Sequence, residues 1–474
     1  MINLLHLPTD ILLEILVFHG LLVPDLSALA QTCRFFHALI EEYGWSGYLR
    51  QHPRPSQSLL RTRQNWTTKQ TAKFDFLVDD AWSRTDFVAR SLSESWNAKL
   101  QPRLALDSTR LVIAAGNTIH AYQFSDDATP AVAFEGLCSL GGDADNYITA
   151  IHTLPDGALF IAFHDGTCES VKIVDHHATT LIVKRSPIPS LQLNNKDFTE
   201  SLSLSQNALL SLSSTGLATL SDIDGFASPT TLSLNARSWA TQIRLDASSP
   251  YAAFGTSSPT PLAIHSVSPS RLSSTPTAIL SLAKREVRTT AVYGIARGPP
   301  SVWGGSPSIV VSGWYNGLVA VHDLRSSTRV HSSTAAAATT LLPVLTLNNS
   351  ISDEPIYSVS CGGGNGSYVA CGTARHSVVS IWDVRAPRDG FSVHAPFNDR
   401  SPVYSLITES SRIFGATDSR PFVFDFGPGV TEATYPAVQA PVRPGASHIP
   451  HHRPAGFYVT KYHHRAVTSR LAIA

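Results

Sequence analysis

YITAIHTLPDGALFIAFHDGTCESVKIVD, residues 147–175, reads as three short strands joined by two turns. Its apolar runs are broken only at Pro155, Asp156 and Gly157 and again at Asp165 and Gly166. Asp-Gly between such runs is a strong hairpin signal, because glycine supplies the positive φ of a tight turn. The unit recurs. RLALDSTRLVIAAGNTIHAYQF spans 103–124, and SIVVSGWYNGLVAVHDLRS closes a unit at 290–325. YVACGTARHSVVSIWDVRA lies within 354–385, and VYSLITESSRIFGATDSRPFVFDF within 402–426. Weaker copies fall at 198–224 and 239–267.

These are seven units, with closing strands ending near Phe124, Asp175, Asp224, His265, Asp323, Asp383 and Asp425. Their spacing of about 40–60 residues starts at the roughly 40–45 of a four-stranded propeller blade. A sheet apolar on both faces cannot persist alone. Stacking such sheets around an axis buries both faces and leaves only short edges. The expected fold is a small all-α module followed by a closed, seven-bladed all-β propeller over residues 101–428. Surplus spacing is assigned to flexible surface loops at 268–289, rich in Ser, Thr and Pro and then basic, and at 326–350, with Ala335 to Ala338 among Ser and Thr. Gly362, Gly363, Gly364 and Gly366 lie between two strand-like runs, so they read as a long hairpin turn and not a phosphate cradle. Trp382 is expected inside or between blades. A terminus must supply a strand to close the ring, and two segments could do so: KFDFLVD at 73–79, which alternates like a strand, and FYVTKY at 457–462.

Residues 1–50 read as helices. Pro8 suits a first helical turn, with Thr9 and Asp10 beside it, and Ile11 to Phe18 is broken only by Glu14. A second helix starts at Pro24 and Asp25, with Leu26, Leu29 and Ala30 at helical spacing. A third runs through Phe35, Phe36, Leu39 and Ile40 to about Tyr43. The first helix is apolar on more than one face, and a unit of about 45 residues has little core in which to hide it. Some of that surface calls for a covering partner, another chain or the rest of this one. Residues 51–100 read as a partly helical linker. Arg54, Arg61, Arg63, Lys69 and Lys73 precede its first acid, Asp75, and fit either a basic binding segment or a solvated linker helix. Residues 429–474 form a Pro/His-rich tail that offers a closing strand at most.

Composition narrows the function classes. Of 474 residues 43% are hydrophobic and 15% charged, with 36 basic and 36 acidic side chains. Zero net charge argues against a nucleic-acid or membrane-surface role for the whole chain. Five scattered cysteines, with no C-x-x-C pair, fit reduced thiols in the cytoplasm or nucleus. The N-terminus lacks a basic region and is not expected to be a signal peptide, and no stretch reaches about 18 uncharged apolar residues of the spanning kind. Metal binding by His448, His451, His452, His463 and His464 lacks an acidic or Cys partner beside them. No G-x-S-x-G, Walker A or H-E-x-x-H is present, so neither an enzyme nor a cofactor is expected, and no catalytic or metal site is assigned.

Two resemblances meet in this chain. LLHLPTDILLEIL followed by DLSALAQTCRFFHALIEEYGW resembles an F-box, with the family's features at Leu7 and Pro8, Asp10, Ile11 to Leu16, Asp25 and Leu26, Cys33, Arg34 and Phe36, and Gly44 and Trp45. Phe36 stands where the family has Trp, and Gly44 where it has Leu. IWDVR at 381–385 and VHDLR at 321–325 are similar to the closing strand of a WD40 repeat, although most copies lack the Trp and none has a good Gly-His start. Together the modules resemble F-box/WD-repeat proteins, including the dactylin-like branch with similarly worn repeats. The resemblance implies an F-box docked on Skp1, and through Skp1 on a cullin and a RING protein, in an SCF ubiquitin ligase whose propeller of WD40 type presents a protein substrate. The implied Skp1-binding residues are Leu7, Pro8, Ile11, Leu12, Ile15, Leu26, Leu29, Cys33 and Phe36, some of which must also form the small core. Two alternatives stay open: a WD40 scaffold without a ligase role, and a receptor reached through DDB1, for which Arg325 and Arg385 resemble docking residues.

Overall fold

The computed structural model describes all residues except 1–6, 19, 142–145, 194–196, 224–227, 269–270, 283–289, 302–304, 327–328, 331–337, 439–458 and 465–474. The expectations placed on Asp224, on Ala335 to Ala337 and on His448, His451 and His452 lie outside the described residues.

The N-terminal unit is helical: α1 (Thr9–Phe18), α2 (Val23–Ala30), α3 (Arg34–Leu39), a π-turn at Ile40–Gly44, α4 (Trp45–Gln51), the short α5 (Leu60–Arg63) and the long α6 (Thr68–Arg84). Asp25 accepts the Leu22 N–H at 3.0 Å and so fixes the start of α2. The small core holds Leu12, Leu16, Leu26, Phe36, Ile40 and Trp45, and it is closed by Ala72 of α6.

Among the described residues the strands group into seven blades, and each innermost strand lies against the next around a complete circle. The innermost strands are Arg103–Leu106, Ile148–Thr153, Thr199–Ser205, Ser238–Arg244, Thr290–Arg297, Ile356–Gly362 and Val403–Thr408, which open blades 1 to 7 in that order. An apolar cluster fills each gap between neighbouring blades, including the gap between blades 7 and 1. Trp382 of blade 6 is buried in one of them beside Ile309 and Val311 of blade 5, which meets the expectation for it.

The closing strand differs from both expectations. Val88–Ser91 pairs antiparallel with Pro421–Asp425 and completes blade 7. Residues 73–79 belong to α6, where Phe74, Val78 and Trp82 face the propeller while Ala72 and Phe76 pack on the helical unit. A helix buried on two opposite sides carries apolar residues at alternate positions, and this imitates strand periodicity. The tail strand Lys461–His463 does not close the ring but adds a fifth strand to blade 6, against Phe391–His394.

The two expected loops are also partly ordered. Ala278–Leu280 of the first pairs in parallel with Thr339–Leu341 of the second, tying blade 4 to blade 5, and Leu345–Asn348 is the outer strand of blade 5. The glycine cluster is the expected hairpin turn, but a tight one. Gly363 and Gly364 have φ of +75° and +47°, and a β-carbon at Gly363 would stand 2.7 Å from Trp82 Cζ2.

His464 follows the tail strand and is buried against Trp382, with Nε2 2.7 Å from Ser392 Oγ. Burial pushes its pKa down to about 4, with neighbouring His463 acting in the same direction. Between about pH 4 and 6.5 the released histidine binds a proton that the docked one refuses, so docking is strongest above 6.5 and weakens as pH falls toward 4. Amide exchange along Lys461–His463, corrected for intrinsic rates, is expected to be faster at pH 5 than at pH 7.5. His464→Gln should remove that pH dependence.

Candidate functional site

The helical unit divides the residues singled out from the sequence. Leu12, Leu26 and Phe36 are buried and shape the surface from beneath. Leu7, Ile15, Leu29 and Cys33 are half-buried, and Pro8 is exposed. Ile11 is 40% exposed. Phe35, beside the buried Phe36, is 44% exposed, and sequence reasoning passed it over in favour of its neighbour. The helix begins at Arg34 and turns Phe36 inward, which leaves Phe35 outward.

The linker does not stand free in solvent, and four of its five basic residues pair within the molecule. Arg54 forks onto Asp79 at 3.3 and 2.5 Å, and Arg63 reaches Asp75 at 2.6 Å, so both clamp the linker to α6. Burial pushes the Asp75 carboxyl up to about 6 against the pull of Arg63. Arg61 pairs with Asp126 of the propeller and Lys69 with Glu41 of the helical unit, while Lys73 is exposed. Glu409, at the end of an innermost strand, accepts the N–H groups of Gln57 and Ser58 at 2.6 and 2.9 Å. Trp82 donates its Nε1–H to the Ser410 carbonyl at 2.9 Å and stacks on Phe426 at 3.7 Å.

These contacts place the helical unit on the propeller end where the innermost strands finish. Arg385 lies on the same end, half-exposed and paired with its own Asp383 at 2.5 Å. It lines a cleft of about 480 Å³ together with Tyr48 and His52 of the helical unit and Asp79 of α6. Arg325 is likewise held by Asp323 at 2.9 Å.

At the opposite end the innermost strands begin, and six of the seven bulge at an equivalent place. The bulged residues are Thr149, Glu200, Trp239, Tyr293, Tyr357 and Tyr404. A bulge re-aims a side chain, here toward the mouth of the ring. Trp239, Tyr293, Tyr357 and Tyr404 form a row with successive ring centroids 4.9, 5.1 and 5.8 Å apart. Beside them Glu200 receives Arg103 at 2.8 Å and Arg237 at 2.7 Å, one on each oxygen. The guanidinium of Arg237 lies 4.0 Å over the Trp239 ring. Sequence reasoning missed this mouth, yet its signal was present. An aromatic residue recurs at one position of the repeat, in SWA at 238–240, VYG at 292–294, IYS at 356–358 and VYS at 403–405.

Residues 4–48 match the F-box-like family. This domain therefore carries the fold of a module that generally docks on Skp1, and the matched span contains Pro8, Ile11 and Phe35. Among curated proteins, none matches the chain. No helix among the described residues is long and apolar enough to cross a membrane. Among the same residues no group of three or more His, Cys, Asp or Glu side chains is arranged to hold a metal ion.

Glu200 is 7% exposed and holds two cations in register. Glu200→Ala should leave both arginines without a counter-charge at a partly buried site and lower stability by about 3 kcal/mol, as measured by urea unfolding. A loss under about 0.5 kcal/mol would mean that solvent already carries those charges.

Proposed function

We propose that the chain is the substrate-recognition subunit of an SCF ubiquitin ligase. The F-box-like domain docks on Skp1, Skp1 joins it to a cullin and a RING protein, and the propeller presents a protein substrate. The carrying observation is the match at residues 4–48 on a domain that leaves Ile11 and Phe35 exposed while its core is already completed by α6. Cis packing covers the side of the domain facing α6 and leaves these two apolar residues to a partner, as a helix-in-groove contact requires. In this reading the blades are worn WD repeats of the dactylin-like kind, and the complex works in the cytoplasm or nucleus. The chain performs no chemistry of its own; ubiquitin transfer belongs to its partners, and the receptor supplies proximity.

The same geometry weighs against the DDB1 route. Arg325 and Arg385 are each engaged by their own aspartate, and Arg385 faces the cleft beside the helical domain. A second ligase docking there would compete with the F-box-like domain for one end of the propeller.

The test is capture of Skp1 by the full chain. An Ile11→Asp, Phe35→Asp double variant should weaken capture by at least about 100-fold, since interface hot spots cost about 2 kcal/mol or more each. Its thermal unfolding should be unchanged, because both side chains are exposed. Wild-type protein that captures no Skp1 would leave the scaffold reading in its place, and capture of DDB1 instead would favour the other cullin route.

A further inference from the structure

We infer that the propeller mouth receives an extended, unphosphorylated, proline-containing segment of the partner protein, laid along the aromatic row of blades 4 to 7. This rests on the reading of the chain as a substrate receptor and specifies what its propeller accepts.

Charge is the first argument. Arg103 and Arg237 beside the row are already paired with a carboxylate. Both oxygens of Glu200 are taken by Arg103 and Arg237. Arg103 Nε also donates to the Thr149 carbonyl at 2.9 Å, and Arg237 Nη1 to the Ser214 carbonyl at 3.0 Å. A phosphate approaching either guanidinium would meet the Glu200 carboxylate already held between them. The mouth is built to offer balanced charge, not an anion socket.

Shape and hydrogen-bonding capacity are the second. Trp239, Tyr293, Tyr357 and Tyr404 present half-buried rings, the first three edge-to-face and the last tilted, and Tyr315 stands 56% exposed beside Tyr293. The hydroxyls of these tyrosines meet no hydrogen-bonding partner among the described residues, and burial raises the Tyr293 and Tyr404 phenols, which keeps them protonated. The indole N–H of Trp239 is satisfied by Ser257 Oγ at 2.8 Å. The row therefore supplies flat apolar faces and free O–H donors. A proline-rich segment in the polyproline conformation needs this pairing. Its rings stack on aromatic faces, its carbonyls make no internal hydrogen bonds, and proline has no N–H to satisfy. Its pre-extended backbone also loses little entropy on binding.

The experiment uses the full-length protein and three sets of fluorescein-labelled ten-residue peptides: a Pro-x-x-Pro set, the same set carrying phosphoserine, and a Lys/Arg-rich set. Fluorescence anisotropy should select the Pro-x-x-Pro set, with affinity nearly unchanged between low and high salt. A Tyr293→Ala, Tyr357→Ala variant should lose at least about tenfold in affinity. Tyr357→Phe should lose about threefold, because stacking survives and only the donor is removed. Skp1 capture should be the same for every variant. Selection of the phosphorylated or the basic set, with a clear salt dependence, would overturn the inference, as would equal binding of the Pro-x-x-Pro set to the double alanine variant. If no peptide binds while Skp1 is still captured, the inference fails and the receptor reading stands. If peptides bind as described but Skp1 is not captured, the mouth is right and the receptor reading fails.

Discussion

One helix belongs to two cores. Ala72 and Phe76 of α6 complete the interior of the F-box-like domain, while Phe74, Val78 and Trp82 lie in the cluster between blades 6 and 7. Trp82 fixes this arrangement. Its ring is 1% exposed, stacked on Phe426 and seated on Gly364 and on Gly363, where a β-carbon would stand 2.7 Å from it. The Arg54–Asp79 and Arg63–Asp75 pairs then hold the linker along the same helix. Thr67 and Gln70 cap its start, and Lys461 of the tail strand bonds to Thr85 at its end. With both ends held and both sides buried, α6 acts as a strut and not as a tether.

The strut determines what each end of the propeller can do. The innermost strands finish beneath the F-box-like domain and begin at the aromatic mouth, so the two surfaces face opposite ways. A partner on the domain and a partner at the mouth would not compete for space. Ring closure matters to both, because Val88–Ser91 follows α6 directly and completes blade 7. The segment that closes the ring is thus the continuation of the helix that carries the domain.

Much of the fold was legible because three strands of each blade are apolar runs punctuated by turn residues, as in 147–175. The fourth strands were less so. Thr180–Pro187 and Thr230–Ser233 are largely solvated and carry no clear alternation. The closing strand Val88–Ser91 is four residues long and contains Arg90, which hides it among linker residues. In the helical domain the apolar set was legible and its sorting was not. Phe35 and Phe36 are equivalent by hydropathy, and only the start of α3 decides which one turns inward. The mouth escaped notice because its residues are separated by whole blades, and bulges bring them together.

The central claim is that α6 fixes the domain rigidly on the propeller, and its most direct test is a distance measurement. Spin labels attached through unnatural amino acids at the exposed positions Arg50 and Thr231 would report the separation of the two parts by pulsed electron resonance. A single narrow distance distribution is predicted for the wild type, with or without Skp1, and a broad one for Trp82→Ala. A broad or multiple distribution in the wild type, or a Trp82→Ala variant as narrow as the wild type, would contradict it.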